Sequence, residues 1–111
     1  MLSLAAIQGA KLETKVVKVA AWDGEVTIQK LSVTQRDELA GFFTSEDLEI
    51  RKEGPARTII AAVTDGDKPI FNESHLALLN EQDGVAMTEL FEEIMDFNKM
   101  RKKDEPELVK P

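Results

Sequence analysis

The chain has 111 residues, of which 42% are hydrophobic and 32% charged, a size and composition that suit one independently folded domain. Its 21 acidic and 14 basic residues give a formal net charge of −7, which disfavours nucleic acid or an anionic membrane surface as a partner. It has no cysteine, which excludes disulfides, thiolate metal sites and thiol chemistry.

Residues 1–14 form a poorly patterned N-terminal segment. Its apolar residues fit either a short amphipathic helix or an extended segment that docks on the next strands; they are Leu2, Leu4, Ile7 and Leu12. The apolar run ends at Gln8, too early for a secretion signal or a membrane span, so we predict neither. The sequence leaves the oligomeric state open, and both this apolar terminus and the edge strands of the hairpin described next make a homo-oligomer a candidate.

Two strands joined at Asp23-Gly24 form the best specified part of the chain. Asp-Gly between alternating apolar residues predicts a two-residue hairpin turn, since both turn positions need positive φ. This turn places Trp22 opposite Glu25 and Val19 opposite Ile28. One face of the hairpin is then apolar and is expected to cover a core.

A helix is predicted directly after the hairpin. Thr34 can cap it, with Asp37 at the reciprocal position of a capping box. Leu39, Phe42 and Phe43 then share one face, which we expect to pack on the apolar face of the hairpin.

The middle of the chain is less clearly patterned. A second cap at residues 44–47 predicts a solvated connector or a short helix before the break at Gly54-Pro55. The run 56–64 is ambiguous, because its β-branched residues favour a strand whereas Pro55 and the alanines permit a buried helix. A turn at 65–69 follows.

Two further helices complete the predicted domain. Asn72 caps a two-turn helix at 73–80, and Asp83 caps the most amphipathic helix, from about Val85 to Met100. The core-facing stripe of this last helix is Met87, Leu90, Phe91, Ile94 and Asn98. Residues 15–100 are thus a single α+β domain, an antiparallel β-hairpin with four or so helices packed mainly on one face. Residues 101–111 are predicted to be a flexible charged tail.

No pattern for catalysis is present. The chain lacks cysteine and tyrosine, and His75, its single histidine, is best explained as a helix residue, so we predict no enzyme activity, metal or cofactor. The acidic residues at 65–67 fit a turn better than a calcium loop, and those at 89–96 a solvated helix face.

Aromatic and methionine side chains are the candidate partner-binding residues. Trp22 next to the turn fits a clamp over the hairpin end better than an exposed anchor. The last helix carries more large, adaptable apolar residues than a small core needs. The full candidate set is Trp22, Met87, Phe91, Met95, Phe97 and Met100.

The order of these features resembles the tail assembly chaperones of long-tailed, siphophage-type bacteriophages, over about residues 15–100. The similar features are Val-Ala-Ala-Trp-Asp-Gly, the Lys-Leu-Ser that leads into Gln35-Arg-Asp, the turn Thr-Asp-Gly-Asp-Lys-Pro-Ile-Phe71, a short helix from Asn72 and a final amphipathic helix. The family implies a helix rather than a strand for the run 56–64.

The resemblance also implies a function. The family members are not enzymes; they bind the tape measure protein and help to recruit tail-tube subunits around it. They act in the cytoplasm of the host bacterium and are absent from the mature virion. A longer frameshifted form would also be expected, and Lys102-Lys103 is a candidate place for the slip. The alternative is a structural minor tail or connector component, and the source can be a phage or a prophage.

Overall fold

A computed structural model describes residues 2–66 and 68–100 of the chain. These residues form a three-stranded antiparallel sheet and six α-helices, so the predicted α+β fold is confirmed. No helix in these two ranges is both long and apolar enough to span a membrane. The predicted charged tail lies outside the described residues.

The sheet contains the predicted hairpin and one further strand. β1 (Thr14–Val19) pairs with β2 (Gly24–Gln29), and β2 pairs on its other side with β3 (Val63–Thr64). The strand order is therefore β1-β2-β3. This order leaves β1 at one edge of the sheet.

The predicted hairpin register is wrong. Val19 lies opposite Gly24, four residues away from the predicted partner Ile28. The chain does not turn within two residues, because Ala20–Trp22 form a single 3-10 turn and Asp23 has a φ of 53°. A shift by an even number of residues keeps every side chain on its predicted face, so the apolar face of the hairpin survives.

The first two helices flank the hairpin in the chain, one before it and one after it. α1 (Leu4–Gln8) precedes the sheet and buries none of its side chains. α2 (Val33–Phe43) is capped by Ser32, not by Thr34 as predicted. The Ser32 Oγ accepts from the Gln35 N–H at 3.2 Å, and the Gln35 Oε1 accepts from the Ser32 N–H at 2.9 Å. Gln35 has the longer side chain that this reciprocal pair needs, which explains why the cap lies earlier.

The ambiguous middle region is a helix followed by a very short strand. α3 (Leu48–Lys52) is a short helix capped by Asp47, and α4 (Gly54–Ala62) follows with proline in its first turn. The Thr58 hydroxyl donates to the Gly54 carbonyl at 2.8 Å, which lets a β-branched polar residue lie buried inside a helix. Of the run 56–64, the residues up to Ala62 are helical, which confirms the helix implied by the resemblance over that part, whereas Val63 and Thr64 form the short strand β3.

The last two helices are close to those predicted. A 3-10 turn at Glu73–His75 leads into α5 (Leu76–Asn80), and α6 (Gly84–Phe97) is capped by Asp83. α6 ends three residues before the predicted Met100. The Lys99 N–H donates to the Asp96 carbonyl at 3.0 Å, and the Met100 N–H donates to the Met95 carbonyl at 2.8 Å. Together with a φ of 56° at Lys99, these bonds form a Schellman motif.

The core lies between the inner face of the sheet and the helices. Val19 and Ile28 are buried on this face, whereas Val16 on the outer face is 59% exposed. The buried apolar residues are Val19, Ile28, Leu31, Leu39, Ala56, Ile59, Ala62, Val63, Leu79, Leu90 and Ile94. The α6 stripe predicted from the sequence therefore does close the core.

Candidate partner-binding surface

The six predicted binding residues lie in three different places. All six are partly buried, so each has some surface in contact with solvent. Trp22 lies at the end of the hairpin, whereas Met87 and Phe91 are within the first eight residues of α6. Met95 and Phe97 are at the end of the same helix, and Met100 lies three residues beyond it. The structure brings together only the two residues of the second group in a groove.

An open groove, the α4–α6 groove, contains Met87 and Phe91. Its volume is about 410 Å³. Its apolar lining comes from three helices and consists of Pro55, Ala56, Ile59, Leu79, Met87 and Phe91. Met87 and Phe91 are four residues apart and so face the same side of α6. The contributions of α4 and α5 were not predicted, because no local pattern shows that these helices lie beside α6.

The groove has a polar rim of mixed charge. The rim residues are Lys52, Asn80, Gln82, Thr88 and Glu92. The positive charge of Lys52 and the negative charge of Glu92 offset each other, so this groove has no strong preference for the charge of a ligand. Phe91 also packs beneath the groove against Phe43, with 5.9 Å between ring centroids. The floor is therefore held by the core, and the rim remains open to solvent.

Trp22 fixes one end of this rim. Its indole N–H donates to the Gln82 Oε1 at 2.9 Å, and its ring centroid is 5.9 Å from that of Phe71. These contacts connect the hairpin turn to the loop before α6. They support the predicted clamp, since the polar atom of the indole is already paired. Direct contact of Trp22 with a partner stays a prediction.

The end of α6 has a structural explanation for its apolar residues. Lys30 Nζ lies 5.2 Å from the centroid of the Phe97 ring, over its face. Met95 and Met100 occupy the two positions of the Schellman motif between which an apolar contact commonly forms. These three residues therefore contribute to the helix end whether or not they bind a partner.

A second groove, the β1–α6 groove, separates the edge strand from the last helix. Its volume is about 290 Å³. The strand contributes Val17 and Val19, and α6 contributes a row of carboxylates, namely Glu89, Glu92, Glu93 and Asp96. Lys15 Nζ crosses from β1 to the Glu93 Oε1 at 3.1 Å. This groove is acidic, unlike the α4–α6 groove.

A third surface depression, between α2 and α4, contains Arg57. Its guanidinium pairs with Glu53 at 2.9 Å and with Glu73 at 3.2 Å, and lies 4.4 Å from the centroid of the Phe42 ring. Burial lowers the pKa of Arg57, but hydrogen bonds and charge attraction from both glutamates outweigh it and raise that pKa. Because these partners already engage the arginine, the depression is a weaker candidate for binding.

The remaining polar residues of interest have structural roles. The His75 Nδ1 accepts from the Asn72 N–H at 2.9 Å, which is a capping interaction. The Asp65 Oδ1 accepts from the Lys68 N–H at 2.9 Å, as expected for a turn. Across residues 2–66 and 68–100, no group of three or more His, Asp or Glu side chains could hold a metal ion.

Comparison with known proteins agrees with the resemblance seen in the sequence. No protein-family model and no curated protein sequence matches the chain. A solved structure, that of the bacteriophage HK97 tail assembly chaperone, matches with a TM-score of 0.60 and 20% identity. The match covers 84% of this chain and 90% of that one. The chain therefore has the fold of a phage tail assembly chaperone, and the predicted resemblance is confirmed at the level of the fold.

Proposed function

We propose that this chain is a non-enzymatic tail assembly chaperone of a long-tailed phage or prophage. The observation that carries the proposal is the fold shared with the HK97 tail assembly chaperone over 84% of the chain. The partner implied by the resemblance is the long, helix-rich tape measure protein. The chaperone would keep that protein soluble and help to recruit tail-tube subunits around it.

The α4–α6 groove is the surface we propose for the tape measure protein. An amphipathic helix offers apolar side chains at intervals of three and four residues, and an open apolar groove between helices can bury them. Met87 adds adaptability, because its unbranched side chain can pack against differing apolar residues along a long partner. The mixed rim excludes neither acidic nor basic flanking residues.

The acidic body of the chaperone supports the same role. A formal charge of −7 on 111 residues makes chaperone-coated complexes repel one another. We place the protein in the cytoplasm of the host bacterium during assembly and expect it to be absent from the finished particle. Recruitment of the tail-tube subunit would occur while the tape measure protein is bound.

Co-expression with the tape measure protein from the same phage or prophage tests the proposal. We expect the chaperone to raise the soluble fraction of the tape measure protein severalfold and to co-purify with it. Mass spectrometry of purified virions is expected to detect tube subunits and no chaperone. Absence of co-purification, with no gain in solubility, would contradict the chaperone function, and presence in virions would favour a minor tail or connector component.

A further inference from the structure

The edge strand β1 has one side that the described chain leaves unpaired. The Glu13 carbonyl accepts from the Lys30 N–H at 2.8 Å, so Glu13 and Lys30 form a hydrogen-bonded pair that extends the β1–β2 register. Hydrogen-bonded and non-bonded pairs alternate along antiparallel strands. Lys15, Val17 and Val19 therefore bond to β2, and residues 14, 16 and 18 direct their backbone N–H and C=O groups outward.

This open edge borders the β1–α6 groove. Val17 and Val19 face inward from β1, and Leu90 and Ala86 face them from α6. The groove thus has an apolar floor, with the unpaired backbone of β1 along one side. A strand added beside β1 would lie about 4.8 Å away and project alternate side chains over this floor.

The charge of the groove selects its ligand. Four carboxylates of α6 and the ammonium of Lys18 line it, and a second lysine, Lys15, pairs with Glu93. From Glu89 to Asp96 the acidic row extends about 10 Å along α6. Alternate side chains of a strand are about 6.8 Å apart, so two basic side chains fit within the row. Their aliphatic stems can cover the apolar floor while their charges reach the carboxylates.

We propose that the β1–α6 groove binds an extended segment of a partner protein by strand addition to β1, with lysine or arginine at alternate positions that face α6. This surface and its ligand are additional to the proposed function, which uses an amphipathic helix in the α4–α6 groove. The added strand also covers Val16, which is 59% exposed on the outer face of the edge. Backbone bonds supply affinity, and the acidic row supplies selectivity.

A synthetic peptide tests the ligand chemistry with the full chain unaltered. The probe is a capped, fluorescently labelled eight-residue peptide that alternates lysine and valine, titrated by fluorescence anisotropy at low and high salt. We expect saturable binding that weakens as salt is added. A peptide with glutamate for lysine should bind at least tenfold more weakly. Of the two lysine peptides N-methylated on alternate amides, the one whose methylated amides face β1 should also bind at least tenfold more weakly, whereas the other should keep its affinity. Unweakened binding of both N-methylated peptides would overturn strand addition.

Substitutions in the protein test the surface. Val16→Pro removes an outward N–H without breaking a bond to β2, and proline is tolerated on strand edges. We expect it to weaken peptide binding at least tenfold, whereas Val16→Ala, which keeps the N–H, stays within about threefold. Glu89→Gln, in the β1–α6 groove alone, should weaken binding about threefold and reduce its salt dependence. Unchanged binding by a folded Val16→Pro variant would contradict the proposal.

The two grooves can be distinguished by their variants. Met87→Ser with Phe91→Ser should leave peptide affinity unchanged, and Val16→Pro should leave recovery of the tape measure protein unchanged. If circular dichroism shows that the Val16→Pro variant is unfolded, the binding of the N-methylated peptides to the natural chain tests strand addition instead. A dimer that Val16→Pro abolishes, without peptide binding by the natural chain, would overturn the proposal and assign the edge to a second copy.

Discussion

Asn98 connects the end of α6 to the start of α2 through its amide side chain. Its Oδ1 accepts from the Leu31 N–H at 2.8 Å, and its Nδ2 donates to the Ile94 carbonyl at 2.9 Å. Asn98 is only 6% exposed, so both bonds are shielded from water. Asn98 can therefore lie on the core-facing stripe of α6, because its side chain accepts a hydrogen bond from the buried Leu31 N–H.

Replacing Asn98 by leucine should destabilise the fold. The Leu31 N–H would be buried without an acceptor, at a cost of about 1–3 kcal/mol in the free energy of unfolding. Urea denaturation followed by circular dichroism measures this loss. Asn80→Leu, at an exposed position on α5, is the matched control and should change stability by less than about 0.5 kcal/mol. Equal stability of the two variants would contradict the role of Asn98.

Lys99 is strained by the Schellman motif. Its φ of 56° is a conformation that glycine adopts without steric cost and that other residues adopt at a cost of roughly 1 kcal/mol. Lys99→Gly should therefore raise the free energy of unfolding by about 0.5–1 kcal/mol. Lys99→Ala removes the charge but keeps the β-carbon, so it should give no such gain. An equal rise in the free energy of unfolding of Lys99→Ala would show that the gain comes from removing the charge and not from relieving the backbone conformation.

At the scale of elements, α2, α4 and α6 meet around one phenylalanine. A β-carbon at Gly54 would lie 2.6 Å from the Phe43 ring, which shows how closely α4 approaches α2. Phe43 in turn packs against Phe91 beneath the α4–α6 groove. The shape of the groove floor therefore depends on the glycine at the start of α4.

Gly54→Ala should destabilise the protein despite the better helix propensity of alanine. The methyl group would force Phe43 to move, at a cost of about 1–3 kcal/mol, measurable as a lower midpoint of thermal unfolding. Gly41→Ala on α2 is the control, because its added methyl group would have no atom within 4 Å apart from the adjacent backbone of its own helix and its chain neighbours. That variant should be stabilised by up to about 1 kcal/mol. An unchanged midpoint of thermal unfolding for Gly54→Ala would mean that α2 and α4 can move apart at little cost.

The elements with strong local patterns were the ones predicted correctly. α6 and its cap followed from apolar spacing and Asp83, and the two hairpin strands followed from alternation. The register was missed because the 3-10 turn at Ala20–Trp22 replaced the favoured Asp-Gly turn. The division between α4 and β3 needed tertiary information, since β-branched residues occur on both sides of Ala62. The α4–α6 groove joins residues of α4 and α6 that are about 30 positions apart in the sequence. The apolar periodicity within each helix cannot reveal that the two helices lie side by side.

At the scale of the whole molecule, the N-terminal segment exposes unusual apolar area. Leu2, Leu4 and Ile7 are 78%, 70% and 58% exposed, and α1 buries no residue. Exposed apolar residues of this kind favour contact with another surface, such as that of a second copy, over contact with solvent. The sequence-based prediction of a homo-oligomer therefore has a candidate surface.

Changing Leu4 and Ile7 together to serine should reduce self-association. Multi-angle light scattering across a concentration series should show a lower average mass for this variant than for the natural chain. Val33→Ser, at a position that is 77% exposed on α2, is the control and should not alter the mass. A natural chain that remains monomeric at high concentration would contradict the predicted oligomer.

The proposed chaperone function depends on the binding of a partner helix in the α4–α6 groove. The direct measurement is the amount of tape measure protein recovered per mole of chaperone after co-expression. Met87→Ser combined with Phe91→Ser should lower this ratio at least tenfold, while Leu48→Ser, at an exposed residue outside the groove, leaves it unchanged. Circular dichroism establishes that both variants are folded. An unchanged ratio in the folded double variant would contradict the account.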